Sequence, residues 1–230
     1  MERKHIHTRN KKMLTVVNII LDTSGSMGDC KAGTIEGFNS YIKKLAKEDA
    51  RVLVSLTVFN THVEKRYSLI PLATVPLLTN ETYITDGGTA LYDATVDTIE
   101  EASERIAHMG EKPVVLTVII TDGLNNSSVK HDRACLTDLI ERLKKEDTWS
   151  FVFLGSNQDS WANAKDMGMS FGNTANYVSD NAGMVLTMDS LYVGTSNFIA
   201  QAQAGGGAGG TSAHTSNFFN GLKDTNNFVK

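Results

Sequence analysis

An apolar run that breaks on a carboxylate constrains this chain more than any other stretch. Val16-Val17-Asn18-Ile19-Ile20-Leu21 is rich in β-branched residues and reads as a buried strand, which Asp22 ends. Two hydroxyls follow at every second position, Ser24 and Ser26. In an extended turn, side chains two apart share a face, so Asp22, Ser24 and Ser26 can point the same way. Gly25 and Gly28 let the backbone fold tightly beside whatever those oxygens hold. One carboxylate and two neutral hydroxyls form a hard-oxygen set, suited to Mg²⁺ or Mn²⁺ rather than to a thiolate-loving metal. The set is incomplete, so other parts of the chain must finish it.

Two other stretches offer oxygens. Thr85-Asp86-Gly87-Gly88-Thr89 places the Thr89 hydroxyl behind a glycine pair and in front of a helical pattern. Val114 to Thr121 is a second buried-strand run, followed at once by Asp122-Gly123. D-x-S-x-S, a distant Thr and a strand-terminal Asp together resemble the metal-ion-dependent adhesion site of von Willebrand factor A (vWA) domains. The resemblance spans roughly residues 13–200 and extends to the small stand-alone vWA proteins of bacteria and their phages. It implies that Ser24, Ser26 and Thr89 ligate a divalent ion through hydroxyls. Asp22 and Asp122 would act directly or through ordered waters, and a sixth position would stay open. Two carboxylates only just neutralise the cation, so it could still accept an Asp or Glu from a protein partner. Asp29, Asp86 and Asn125 lie near enough in sequence to support the ligands, although an ordinary loop role suits each of them.

The rest of the chain alternates strands with helices. A helix capped by Thr34 is expected to run to Lys47, followed by a strand Val52–Phe59 and an antiparallel edge hairpin over His62–Tyr67. Pro71 and Pro76 mark irregular chain. A long helix is expected from Ala90 to Met109, then the strand Val114–Thr121, a helix Ala134–Lys145 and a strand Trp149–Leu154. Beyond Gly155 the pattern weakens to a short helix Ser160–Met167, an edge strand Asn176–Val178 and a helix Met184–Gln203. This order predicts an α/β fold, a three-layer α/β/α sandwich with a mostly parallel central sheet and one antiparallel edge strand. In such sheets ligands sit beyond the carboxyl ends of strands, where Asp22 and Asp122 fall.

The chain divides into a basic arm at 1–12, a vWA-like domain at 13–203 and a Gly-rich polar tail at 204–230. Residues 151–230 carry only eight Asp, Glu, Lys or Arg, which leaves that third poor in charge and open to self-association. The tail offers few apolar residues, so a chain cut after Gln203 is expected to keep its cooperative melt; loss of that transition would mean that the tail docks on the domain through Phe218 and Phe219. A net charge of −4 argues against nucleic-acid partners. No stretch reaches the roughly 20 apolar residues of a membrane span. The run Met13–Leu21 is too short and polar for a signal peptide, which predicts a cytoplasmic protein. Cys30 and Cys135 form no disulfide framework, neither has a basic partner in sequence, and His62, His108 and His131 lack ligand-like spacing.

The function expected is a metal-dependent protein-binding module without enzymatic activity. A metal-dependent phosphatase or hydrolase with Asp22 as nucleophile is the alternative. Haloacid-dehalogenase-type phosphatases need a further Asp two residues on, where this chain has Ser24. No G-x-S-x-G elbow, P-loop or dinucleotide fingerprint is present. An assembly role for the charge-poor final third is compatible with the first reading.

Overall fold

The computed structural model describes residues 12–156, 160–205 and 218–219. Six strands form the sheet: β1 (Leu14–Asp22), β2 (Arg51–Phe59), β3 (Val63–Pro71), β4 (Val114–Thr121), β5 (Trp149–Gly155) and β6 (Thr174–Asn176). Five α-helices flank it: α1 (Lys31–Leu45), α2 (Leu91–Ala107), α3 (Arg133–Lys144), α4 (Ser160–Asp166) and α5 (Asn181–Ala204). The strand order is β3-β2-β1-β4-β5-β6, and every pairing is parallel except β2 with β3. The expected α/β sandwich is therefore the observed one.

Alternation along β1 sets the two layers. Val17, Ile19 and Leu21 face one core with α1 and α5, while Val16 and Ile20 face another with α2 and α3. All nine residues of β1 are buried, as a central parallel strand covered on both faces requires. On the first face, α1 and α5 approach closely because Gly33 and Gly37 stand one turn apart. A Cβ at Gly33 would overlap the backbone of Asn181, and one at Gly37 would overlap Met188. Chain order reverses around β1, whose neighbours β2 and β4 lie on opposite sides. That is the topological switch point of a doubly wound sheet, and its carboxyl end is the natural crevice for a ligand.

Two sequence expectations need correcting. Thr34 does not cap α1: it lies inside the helix and its hydroxyl donates back to the Cys30 carbonyl at 2.9 Å. The helix grows instead out of a 3₁₀ turn, Gly25–Cys30. The last strand begins two residues earlier than expected, at Thr174, and Val178 is left exposed. A 3₁₀ turn at Phe171–Asn173 feeds the strand, and the buried Asn173 side chain donates to the Phe151 carbonyl at 3.0 Å.

Two residues of the tail pack on the domain. Phe218 is 9% exposed and Phe219 is fully buried, both within the core of the α1–α5 face. Their backbone N–H groups donate to Asn173 Oδ1 at 3.0 Å and to the Gly172 carbonyl at 3.1 Å. A side chain at Gly194 on α5 would overlap the Phe218 ring, so the docking site exists because that residue is glycine. The remainder of the tail, the basic arm up to Lys11 and the loop 157–159 lie outside the described residues. No helix among the described residues is long and apolar enough to cross a membrane.

Candidate metal centre

Asp22 ends β1 with no solvent exposure, and both of its carboxylate oxygens are engaged. Oδ1 accepts the Ser24 N–H at 2.6 Å, and Oδ2 accepts the Thr121 hydroxyl at 2.6 Å. The Tyr83 hydroxyl donates to the Asp22 carbonyl at 2.7 Å. The next residues are tied on two sides. Thr23 donates its N–H to Phe59 at 2.6 Å, its carbonyl accepts from Asp86 N–H at 2.9 Å, and Gly25 N–H donates to Gly87 at 3.1 Å. Ser24 stands at the N-cap of the 3₁₀ turn but makes no side-chain capping bond. Its Oγ instead lies 3.2 Å from Ser26 Oγ, and Ser26 Oγ donates to Asp122 Oδ1 at 2.7 Å. The motif on β1 thus meets the end of β4 through a continuous line of oxygens.

Thr89 joins from a third loop. The N-cap of α2 is Ala90, so Thr89 is not spent on capping. Asn126 holds it at both ends: Thr89 N–H donates to Asn126 Oδ1 at 2.8 Å, and Asn126 N–H donates back to the Thr89 carbonyl at 3.0 Å. Thr89 is buried, and its hydroxyl faces the residue after Asp122: a Cβ built on Gly123 would lie 3.2 Å from Thr89 Oγ1. All five residues singled out by the motif therefore converge on the rim at the switch point.

The residues that hold them were only partly legible. Thr121, Tyr83, Asn126 and Ser156 were not anticipated; Ser156 donates to the Asp122 carbonyl at 3.2 Å. A strand-terminal hydroxyl beside an Asp is the one signal that could have pointed to Thr121. Of the suggested supporting residues, Asp86 accepts the Gly87 N–H at 2.7 Å and shapes the loop. Asn125 accepts from Ser128 and serves the start of α2 instead. Asp29 lies close enough to Asp122 to act on its charge.

Electrostatically the rim is short of positive charge. Burial pushes the Asp22 carboxyl up to about 6, against the opposing pull of its bonds from Thr121 and Ser24, and the Asp122 charge adds to the rise. Asp122 is raised too, by burial first and then by Asp29. Among the described residues neither carboxylate is paired with a Lys or Arg. Two anions that burial disfavours, with three hydroxyls beside them, fit a hard divalent cation well. No group of three or more His, Cys, Asp or Glu suited to a metal occurs among the described residues. A cavity of about 170 Å³ opens beside Gly123, floored by Leu91, Phe153 and Met167. A larger one, about 460 Å³, lies near Met109, Leu143 and Trp149, away from this chemistry.

No protein-family model matches the chain, and no curated protein matches it in sequence. Solved structures do match. The chain is similar to proximal thread matrix protein 1 from the mussel byssus, at 14% identity and a TM-score of 0.56, over 79% of this chain and 46% of that one. The same mussel protein has been solved with a zinc-occupied MIDAS motif, at 14% identity and a TM-score of 0.56, over 80% and 46%. Manganese-loaded TRAP protein of Plasmodium vivax matches at 16% identity and a TM-score of 0.51, over 80% of this chain and 74% of that one. A von Willebrand factor type A protein from Catenulispora acidiphila matches at 13% identity and a TM-score of 0.51, over 84% and 43%. The chain thus spans about half the length of the mussel protein and less of the last. These likenesses define the class by architecture: the fold is that of the vWA domain, a Rossmann-like α/β sandwich.

Proposed function

We propose that this chain is a non-enzymatic protein-binding module that works through one Mg²⁺ or Mn²⁺ ion. Asp22, Ser24, Ser26, Thr89 and Asp122 would hold the ion, and an Asp or Glu of a partner protein would take its open position. The observation that carries this reading is the line of oxygens from Asp122 through Ser26 to Ser24 above buried Asp22, with Thr89 beside it. The ion would supply the positive charge that the rim lacks, and its electrophilic character would recognise an acid. The chain's own part is to fix five oxygens from three loops, so that little reorganisation is needed on binding. The manganese-loaded and zinc-occupied structures of similar fold support a divalent ion at this rim.

A hydrolytic role for Asp22 is less well supported. Its two oxygens accept from Ser24 and Thr121, and the side chain has no solvent exposure from which to attack a substrate. Calorimetry on chelator-treated protein tests the proposal: one Mg²⁺ or Mn²⁺ should bind per chain, and Asp22→Ala should remove it. Unchanged stoichiometry in that variant would overturn the ligand assignment. Metal-dependent turnover of a generic phosphate ester, lost in Asp22→Asn, would overturn the non-enzymatic reading.

A further inference from the structure

Away from this rim, α2 and the start of α3 bring together three side chains that the sequence keeps apart. Cys135, in the first turn of α3, is exposed, and its Sγ lies 3.7 Å from His131 Nδ1. The other ring nitrogen, Nε2, lies 3.1 Å from Asp97 Oδ1 on α2. The backbone beneath is pinned, because Asp93 accepts the N–H groups of Val129, Lys130 and His131 at 2.8, 3.1 and 2.8 Å. Asp132 caps α3 by accepting the Cys135 N–H at 2.8 Å. The isolated thiol and isolated histidine expected from the sequence are therefore neighbours in the fold.

We propose that His131 and Cys135 form a second cation site, for Zn²⁺ or another thiolate-loving divalent ion, with Asp97 positioning the imidazole. The spacing matches: bond lengths of about 2.3 Å to sulfur and 2.0–2.1 Å to nitrogen at a tetrahedral angle put the two ligand atoms roughly 3.6 Å apart. The tautomer suits a ligand as well. A carboxylate that accepts Nε2–H leaves Nδ1 unprotonated on the side of Cys135, and a carboxylate behind the far ring nitrogen is the arrangement common behind metal-bound histidines. Three further carboxylates, Glu100, Asp132 and Asp138, lie close enough to Cys135 to act on it. After burial, which ranks first, these charges push the free thiol up, so they disfavour a bare thiolate while attracting a cation. That balance favours a metal over a nucleophilic Cys–His–Asp triad. No group of three or more His, Cys, Asp or Glu suited to a metal occurs among the described residues, so the two side chains would hold the ion as a chelating pair, with water in its other positions. The site shares no residue with the hard-metal rim, and Cys30 does not compete with it, being buried against Met27.

Co²⁺ titration of the reduced, chelator-treated chain reads the site directly, since a cobalt–thiolate bond absorbs in the near ultraviolet. The band should saturate near one equivalent, disappear on adding Zn²⁺, and resist excess Mg²⁺. Cys135→Ser should abolish it, and Asp97→Ala, which also frees the Lys130 ammonium, should weaken binding about 10–100-fold in a chain that still melts cooperatively. Cys30→Ser and Asp122→Ala should keep it. No band in the wild type, or a band that survives Cys135→Ser, would overturn the site. Rapid alkylation of Cys135 that Zn²⁺ leaves unaffected would also overturn it, in favour of a nucleophile.

Discussion

The rim at the ends of β1 and β4 and the dock of Phe218–Phe219 are both built from long-range contacts, yet they were unequally visible. At the rim each partner announces itself locally, as an apolar strand that ends in an acid or a glycine pair followed by a hydroxyl. The dock depends on a hole at one glycine of α5, filled by residues that follow a low-complexity stretch. The aromatic pair stands out in a tail poor in apolar residues, but the hole at Gly194 that receives it has no pattern of its own. Polar chemistry at strand ends therefore shows in sequence, whereas steric complementarity shows only in the fold.

The same distinction runs through the elements. β4 lies where its apolar run puts it, Val114–Thr121, because a buried parallel strand is itself a hydrophobic run. β6 was misplaced because Val178 resembles a strand residue but is 49% exposed, while buried Asn173 and Thr174 look like loop. All five predicted rim residues meet, but Thr121, Tyr83 and Asn126, which hold them, were hidden. A hydroxyl or amide is ordinary in a loop until its partner is known. The His131–Cys135 pair was missed for a related reason: its four-residue spacing gains meaning only when Asp97 arrives from another helix.

The sharpest way to break the comparison is to empty the dock. Phe219 is fully buried, and Phe→Ala changes in cores cost about 3–5 kcal/mol. Phe219→Ala should lower the midpoint of urea unfolding accordingly, and a chain cut after Gly205 should lose at least as much. Calorimetric Mg²⁺ affinity of the folded Phe219→Ala protein should stay within a few-fold of wild type. An undisturbed melt in the truncated chain would return the tail to the dispensable role its composition suggests.

A smaller effect should come from the rim without metal. Asp22 in the folded chain keeps its proton up to about pH 6, against an ordinary value of 3.8. Its contribution to stability is full below about pH 4 and is lost as pH rises through 6, since the folded state binds the proton more tightly. The loss amounts to about 3 kcal/mol over that window. Other carboxylates titrate there too, so the readout is the difference between wild type and Asp22→Asn in chelator. The variant, which cannot ionise, should gain stability relative to wild type between pH 4 and 7, and saturating Mg²⁺ should reduce that advantage. Parallel pH profiles would show that Asp22 is not the buried acid the fold makes of it.

The smallest expected change separates recognition from folding most cleanly. Asp122 is half-buried in the loop after β4, and its Oδ1 takes a bond from Ser26. Asp122→Ala deletes that bond, which is worth about 1.5–3 kcal/mol when the acceptor is charged. It also removes an anion that raises the carboxyl of Asp22 and that burial itself disfavours. The two effects oppose each other, so metal-free stability should move by no more than about 1–2 kcal/mol. Metal binding would have no such compensation, because one of the two carboxylates proposed to hold the ion is gone. Calorimetry should find the Mg²⁺ site lost in a chain whose urea midpoint has barely moved. Should Asp122→Ala instead unfold the metal-free chain, the rim would be part of the framework, and its contrast with the Phe218–Phe219 dock would fail.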